Sequence, residues 1–209
     1  MTDVPANAAE RAHVAIRTAI LNGDYAAGTM LSESALAASL SMSRTPVRAA
    51  LGRLQDEGFV TIYPKRGALV RELTAAEVRE FAQVRHALES AGVRLADPEA
   101  RAGLSMRLAE NLARQEDALH GKDFLQFAAL AMEFHRAFVE LSDNETMLLF
   151  YDRIRDRQYR TILGNPTLSR DPRLMLDEHR ALLNAAVSGD WHAFSEILGN
   201  HQSHSYHLE

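Results

Sequence analysis

The chain has 209 residues, no cysteine, 46% hydrophobic residues and a formal net charge of −5. That length can hold a small domain and a larger second core, and the lack of cysteine excludes a disulfide framework and thiolate chemistry. No apolar run approaches about 18 residues and no charged-then-apolar leader opens the chain, so a cytoplasmic protein is expected and a membrane span or secretion is not.

The first predicted element is an amphipathic helix over residues 8–21, with Val14, Ile16, Ala19, Ile20 and Leu21 offered to a core. A short helix follows over 31–40, LSESALAASL, capped by Ser32 and turned inward by Leu36 and Leu40. The brief Ser41-Met42 link leads into residues 43–58, SRTPVRAALGRLQDEG. Here Ser43 suits an N-cap, Pro46 the first turn and Gly58 the C-terminal stop. Val47, Leu51 and Leu54 form a buried stripe, which leaves Arg44, Thr45 and Arg48 together on the exposed side. The helix dipole disfavours cations in a first turn, so two arginines there suggest an anionic partner. Helix, short turn and basic helix have the spacing of a helix-turn-helix. Residues 59–63 and 68–71 are β-prone runs on either side of Pro64-Lys65-Arg66-Gly67, which predicts a hairpin wing with two cations at its tip.

From residue 73 the pattern is helical throughout. Thr74 with Glu77 at the capping-box position opens a helix over 75–95, with Val78, Phe81, Val84, Leu88 and Val93 inward. Asp97-Pro98 ends it. Further helices are predicted over 98–119, 123–141, 145–163, 172–187 and 191–206, separated by turns that include Gly164-Asn165-Pro166. The expected fold is therefore mainly α: a winged helix-turn-helix with a small β-hairpin wing over 1–72, and an all-α bundle over 73–209. Residues 1–72 carry 8 basic against 7 acidic residues and the remainder 15 against 21. The acidic balance thus belongs to the bundle and does not oppose a local basic patch meeting phosphate.

Residues 28–60, together with PKRGALV at 64–70, resemble the N-terminal domain of GntR-family bacterial transcription regulators. Residues 73–207 resemble the FCD effector domain of the FadR subgroup. The pieces that carry this are LTAAEVREFAQVRHALE at 73–89, FH at 134–135, SDN at 142–144, EHRALLNAAVSGD at 178–190, and His201. The first resemblance implies a homodimer that reads an inverted-repeat DNA operator. Arg44, Thr45 and Arg48 would sit in the major groove and Lys65, Arg66 and Gly67 in the wing. In FadR relatives another side chain of the second helix helps grip DNA; here Ser34 occupies that neighbourhood, so the phosphate grip is expected to be thinner.

The second resemblance implies a pocket for a small organic acid beside a metal held by one aspartate and three histidines. The histidines match His135, His179 and His201, but the aspartate position, four residues before the first, is Ala131. Glu133 falls on roughly the opposite side of that helix. Three neutral imidazoles can hold Zn²⁺ or Ni²⁺, whereas the missing oxygen disfavours hard ions, which leaves metal binding open. The effector's own carboxylate is a candidate for the missing ligand. Arg85 is a candidate to grip that carboxylate or, alternatively, to pair with Glu89 at i+4. Arg157, Tyr159 and Arg160 are further candidates, while His204 and His207 are expected to be solvated. The expected function is a DNA-binding repressor controlled by a small acid, without catalysis. One rival is a metal-dependent enzyme using the three histidines, although no base carboxylate, nucleophile motif, phosphate-binding loop or H-E-x-x-H accompanies them. Another is a constitutive DNA-binding protein with a degenerate pocket, which Ala131 hints at.

Overall fold

The computed structural model describes residues 7–163 and 172–206, apart from the side chains of residues 156–158, 160–163 and 172. The predicted turn at 164–166 and His207 lie outside the described residues. Two compact units divide the chain, Met1–Leu73 and Thr74–Glu209.

In the first unit, α1 (Ala8–Asn22) opens at Asn7, whose side chain accepts from the Glu10 N–H at 2.8 Å. It buries Ala12, His13, Ile16 and Ile20. Val14, predicted inward, is 52% exposed, because two residues from both Ala12 and Ile16 places it across the helix. His13 takes the inner place instead, and it can do so because its Nε2 lies 2.8 Å from the Glu57 carboxylate. Next come α2 (Glu33–Ser39) and α3 (Arg44–Asp56), and Val47, Ala50, Leu51 and Leu54 of α3 pack into the same core as α1. Ser32 and Ser43 have the extended backbone of N-caps but make no side-chain capping bond.

Leu31, predicted to lie in the second helix, belongs to a strand. The elements β1 (Met30–Leu31), β2 (Val60–Tyr63) and β3 (Gly67–Val70) form an antiparallel sheet in the order β1-β3-β2. A two-residue strand has no alternation to detect, so the sequence shows the wing as a hairpin without its third strand. Gly67 makes the third strand possible. Its φ is +114°, and a Cβ there would lie 2.3 Å from the Leu31 carbonyl oxygen, inside contact distance.

The second unit contains α4 (Ala75–Leu95), α5 (Pro98–His120), α6 (Phe124–Glu140), α7 (Glu145–Leu163), α8 (Pro172–Ser188) and α9 (Trp191–Tyr206). Thr74 and Glu77 complete both halves of the capping box, and Asp97 and Asp123 cap α5 and α6 by accepting from Ala100 and Gln126. The apolar helix α6 is central and packs on α4, α5 and α7, while α9 packs on α4 and α8. No helix among the described residues is long and apolar enough to cross a membrane.

Helix α4 departs from its predicted face. Val84 is 44% exposed, and Phe81 and Leu88 are half-buried. The buried stripe is Val78, Ala82, Arg85, Glu89, Gly92 and Val93, which keeps helical spacing but carries two charges in its middle. At Gly92 a Cβ would lie 2.0 Å from the Phe138 carbonyl oxygen, so α4 and α6 touch backbone to backbone. Gly92→Ala is therefore expected to destabilise the bundle. Overpacking costs about 1–3 kcal/mol, which exceeds the roughly 1 kcal/mol that Ala gains over Gly in helix propensity. Urea unfolding would show this as a lower midpoint, and an unchanged midpoint would mean that the two helices separate freely.

Candidate functional site

The exposed side of α3 and the wing share one cleft. With its apolar stripe turned to the core, α3 holds Arg44, Thr45 and Arg48 outward. Lys65 and Arg66 are exposed at the wing tip, where Lys65 takes a positive φ of 63° and the Arg66 N–H closes the turn on Tyr63 at 3.0 Å. Ser34, Arg44, Arg48, Lys65, Arg66 and Gly67 all line this cleft. Thr45, though exposed, is not part of its lining. The Ser34 hydroxyl lies 2.9 Å from that of Ser32. Sequence reasoning missed Glu33. Its carboxylate accepts from Arg48 Nη2 at 2.8 Å and Nε at 3.1 Å, and from Arg44 Nη2 at 3.2 Å. The Arg48 hydrogen bond, with help from Arg44, holds the Glu33 carboxyl below its ordinary value against the opposing effect of burial. An acid in a first helical turn is already expected from the dipole, so nothing in the sequence marked it out.

The second site lies inside the bundle and draws on every one of its helices. His135 of α6, His179 of α8 and His201 of α9 are all buried, and one ring nitrogen from each lies within 4.8 Å of the others. Their ring centroids, 5.0, 5.0 and 4.9 Å apart, form a nearly equilateral triangle. Every Nδ1 faces an oxygen: Glu89 for His135 at 2.8 Å, Gln115 for His179 at 2.7 Å and Glu178 for His201 at 2.8 Å.

The His179 tautomer follows from a chain of bonds. The Leu130 carbonyl can only accept, so Asn111 presents its Nδ2 there at 3.2 Å and turns its Oδ1 to Gln115. Gln115 must then donate its Nε2 to Asn111 at 2.7 Å, which leaves its oxygen to accept from His179 Nδ1–H. His179 Nε2 is thus a bare lone pair, and it is buried without a hydrogen-bond partner. Carboxylates impose the same tautomer on His135 and His201. Burial pushes His135 and His179 well below the ordinary imidazole value, and pushes His201 down against the pull of Glu178. Neutral rings with their far nitrogens anchored are the form in which histidine binds metal. The three therefore fit a borderline ion such as Zn²⁺ or Ni²⁺.

Ala131 is buried one turn before His135 and offers only a methyl group, and Glu133 is exposed on the far side. Neither supplies a fourth ligand. Behind the histidines lies a charged core that the sequence showed only in part. Of the two alternatives for Arg85, the pair with Glu89 is present, its Nε lying 2.5 Å from Glu89 Oε1 with both side chains buried. Arg85 Nη1 donates to the Tyr206 hydroxyl at 2.5 Å, and the Tyr151 hydroxyl reaches Glu89 at 3.4 Å. Burial opposes charge on Arg85, but Glu89 overrides it and keeps the guanidinium firmly protonated. At Glu89 burial prevails over Arg85 and pushes the carboxyl up; three converging donors still favour the carboxylate form.

Arg85 Nη2 is buried without a partner, so one charged donor remains beside the neutral imidazoles. Tyr159 is half-buried, and its hydroxyl donates to the Leu125 carbonyl at 3.1 Å, which ties α7 to α6. The side chains of Arg157 and Arg160 lie outside the described residues. His204, expected to be solvated, is 54% exposed but bonds to the second oxygen of Glu178 at 2.6 Å. The residues that sequence reasoning missed here are Asn111, Gln115, Tyr151, Glu178 and Tyr206, each of which has a partner on another helix.

Residues 8–70 match the gntR family of bacterial regulatory proteins, and residues 80–204 match the FCD domain. The chain is 27% identical over 193 residues to the HTH-type transcriptional repressor RspR of Escherichia coli K12, a match covering 89% of this chain and 82% of RspR. It is 30% identical over 181 residues to an HTH-type transcriptional regulator in an unstable DNA locus of Streptomyces ambofaciens, covering 85% of this chain and 75% of that protein. Its fold is similar to that of a GntR transcriptional regulator from Rhodococcus sp. RHA1, with a TM-score of 0.80 over 93% of each chain at 24% identity. With a DNA-binding domain and an FCD domain matched in succession along most of its length, the chain belongs to the GntR family of bacterial regulatory proteins and is a transcription regulator, not an enzyme.

Proposed function

We propose that the protein is a cytoplasmic, homodimeric repressor whose operator binding is controlled by a small organic acid held in the histidine site. The observation that carries this reading is the side-by-side chemistry of that site. Three neutral imidazoles are oriented for a cation, and one buried arginine keeps a free N–H for an anion. His135, His179 and His201 would hold Zn²⁺ or Ni²⁺, and a metal there supplies a Lewis-acidic anchor for a carboxylate. Without a ligand at Ala131, the acid's oxygen is the group that completes the shell, so metal and acid bind together. A degenerate pocket would have no reason to keep all three Nδ1 atoms anchored. At the DNA end, two copies of α3 read an inverted repeat, with Arg44, Thr45 and Arg48 in the groove and Lys65, Arg66 and Gly67 on the backbone. The acid switches the regulator only by binding better to one placement of the DNA-binding domains than to the other. RspR, a repressor by name, supports repression as the sign.

Selection of bound sequences from genomic DNA tests this reading by supplying an operator. Arg48→Ala should then weaken operator binding by about 1–3 kcal/mol and relax discrimination at one base pair. Lys65→Ala should lower affinity evenly across sequences. Carboxylic acids should release the operator from metal-loaded protein and not from chelator-treated protein. Failure to enrich any sequence would end the proposal.

A further inference from the structure

We infer that Glu33 is a specificity-determining residue that holds Arg48 in the orientation for reading a base; the inference rests on α3 being the DNA-reading helix. Arg48 is a long side chain on an exposed surface, 65% accessible, where a guanidinium would ordinarily sample many rotamers. Here it is held. Both its Nε and its Nη2 face the Glu33 carboxylate, at 3.1 and 2.8 Å, a two-point contact that fixes the guanidinium plane as well as its position.

The edge used by Glu33 matters. A guanidinium has a side edge, Nε with Nη2, and an end edge, Nη1 with Nη2. Glu33 takes the side edge and leaves the end edge, whose two parallel N–H groups match the O6 and N7 acceptors of guanine. Arg44 gives Glu33 a single bond at 3.2 Å, so its guanidinium plane is not fixed in the same way.

The backbone of Glu33 is itself anchored on both sides. Leu31 pairs with Ala68 of the wing, and Leu36 and Ala37 are buried against the core. The carboxylate therefore sits in the cleft between α3 and the wing as part of the fold. Its negative charge there disfavours DNA phosphate wherever Arg48 finds no guanine. Glu33 thus raises the contrast between operator and other DNA from both sides, strengthening the operator contact and weakening the rest. A mere mask, with Glu33 neutralising the arginines until DNA displaces it, would have the opposite consequence for operator affinity.

The test uses the full chain and its selected operator, with Glu33→Gln, Glu33→Asp, Arg48→Ala and the Glu33→Gln/Arg48→Ala double variant, all checked for unchanged thermal unfolding. Expected for Glu33→Gln is about a tenfold loss of operator affinity, together with equal or tighter binding to unrelated duplex. Glu33→Asp keeps the charge but is one methylene too short, and should lose discrimination in the same way. In the Arg48→Ala background Glu33→Gln should add no further loss. Tighter operator binding by Glu33→Gln would establish the mask and overturn the inference, as would wild-type discrimination in Glu33→Asp or additive losses in the double variant. If Arg48→Ala weakens operator binding and Glu33→Gln does not, only the role of Glu33 falls. If Arg48→Ala has no effect, the reading of α3 falls with it.

Discussion

Glu89→Ala is expected to destabilise the C-terminal bundle by about 3–5 kcal/mol, the range for removing one partner of a buried ion pair. Arg85 would be left with its charge in a fully buried position and only the Tyr206 hydroxyl as a partner. His135 Nδ1–H and the Tyr151 hydroxyl would lose their acceptor as well. Removing both charges should be milder. Arg85→Met with Glu89→Leu replaces a pair that is costly to desolvate by apolar volume, and such exchanges are often neutral or better. Urea unfolding of the two variants should therefore rank the double variant above Glu89→Ala. If the single variant unfolds like the wild type, water reaches Arg85 and the pair is not what stabilises the centre of the bundle. Metal affinity is a second, independent readout. It should fall in both variants, because each removes the anchor of His135.

The second large effect concerns metal affinity. Gln115→Leu should weaken Zn²⁺ or Ni²⁺ binding about 10–100-fold, the usual consequence of losing a group that orients a ligating histidine. All three imidazoles remain in this variant. His179 loses only the oxygen that fixes its tautomer, so either ring nitrogen can then carry the proton. His179→Ala should lose more, since two nitrogens cannot close the site. Titration against a competing chelator measures both, and wild-type affinity in Gln115→Leu would mean that the metal is held elsewhere. The pH dependence has a definite sign. Burial holds all three rings below the ordinary imidazole value of 6.5, so protons compete with metal only at lower pH than at an exposed histidine site. As pH falls, affinity should therefore hold to lower pH than it does at a site of exposed histidines.

The fold was more legible in the sequence than the site. Helix α3 announced itself through Ser43, Pro46 and the stripe of Val47, Leu51 and Leu54, all local signals. Strand β1 did not, because two residues show no period and its pairing partner, Ala68, is far along the chain. On α4 the hydrophobic residues were read as the inner face, yet Arg85 and Glu89 are buried and Val84 is not. The reason is that their partners, Tyr206 and His135, come from other helices, and a charge is buried only when such partners exist. The three histidines were visible through family resemblance alone, since no spacing links residues 135, 179 and 201. Glu33 and Gln115 were invisible for a simpler reason: each is an ordinary helix residue until its neighbour is known.

One consequence of the bundle site is mechanical. Among the bonds that fasten helix α9 are those of His201 to Glu178 of α8 and of Tyr206 to Arg85 of α4. Sliding α9 along its axis by a single residue, about 1.5 Å, would stretch both bonds at once and carry one corner out of the histidine triangle. The site is therefore a gauge of where the last helix stands, and whatever settles among the three imidazoles fixes that helix to its mark.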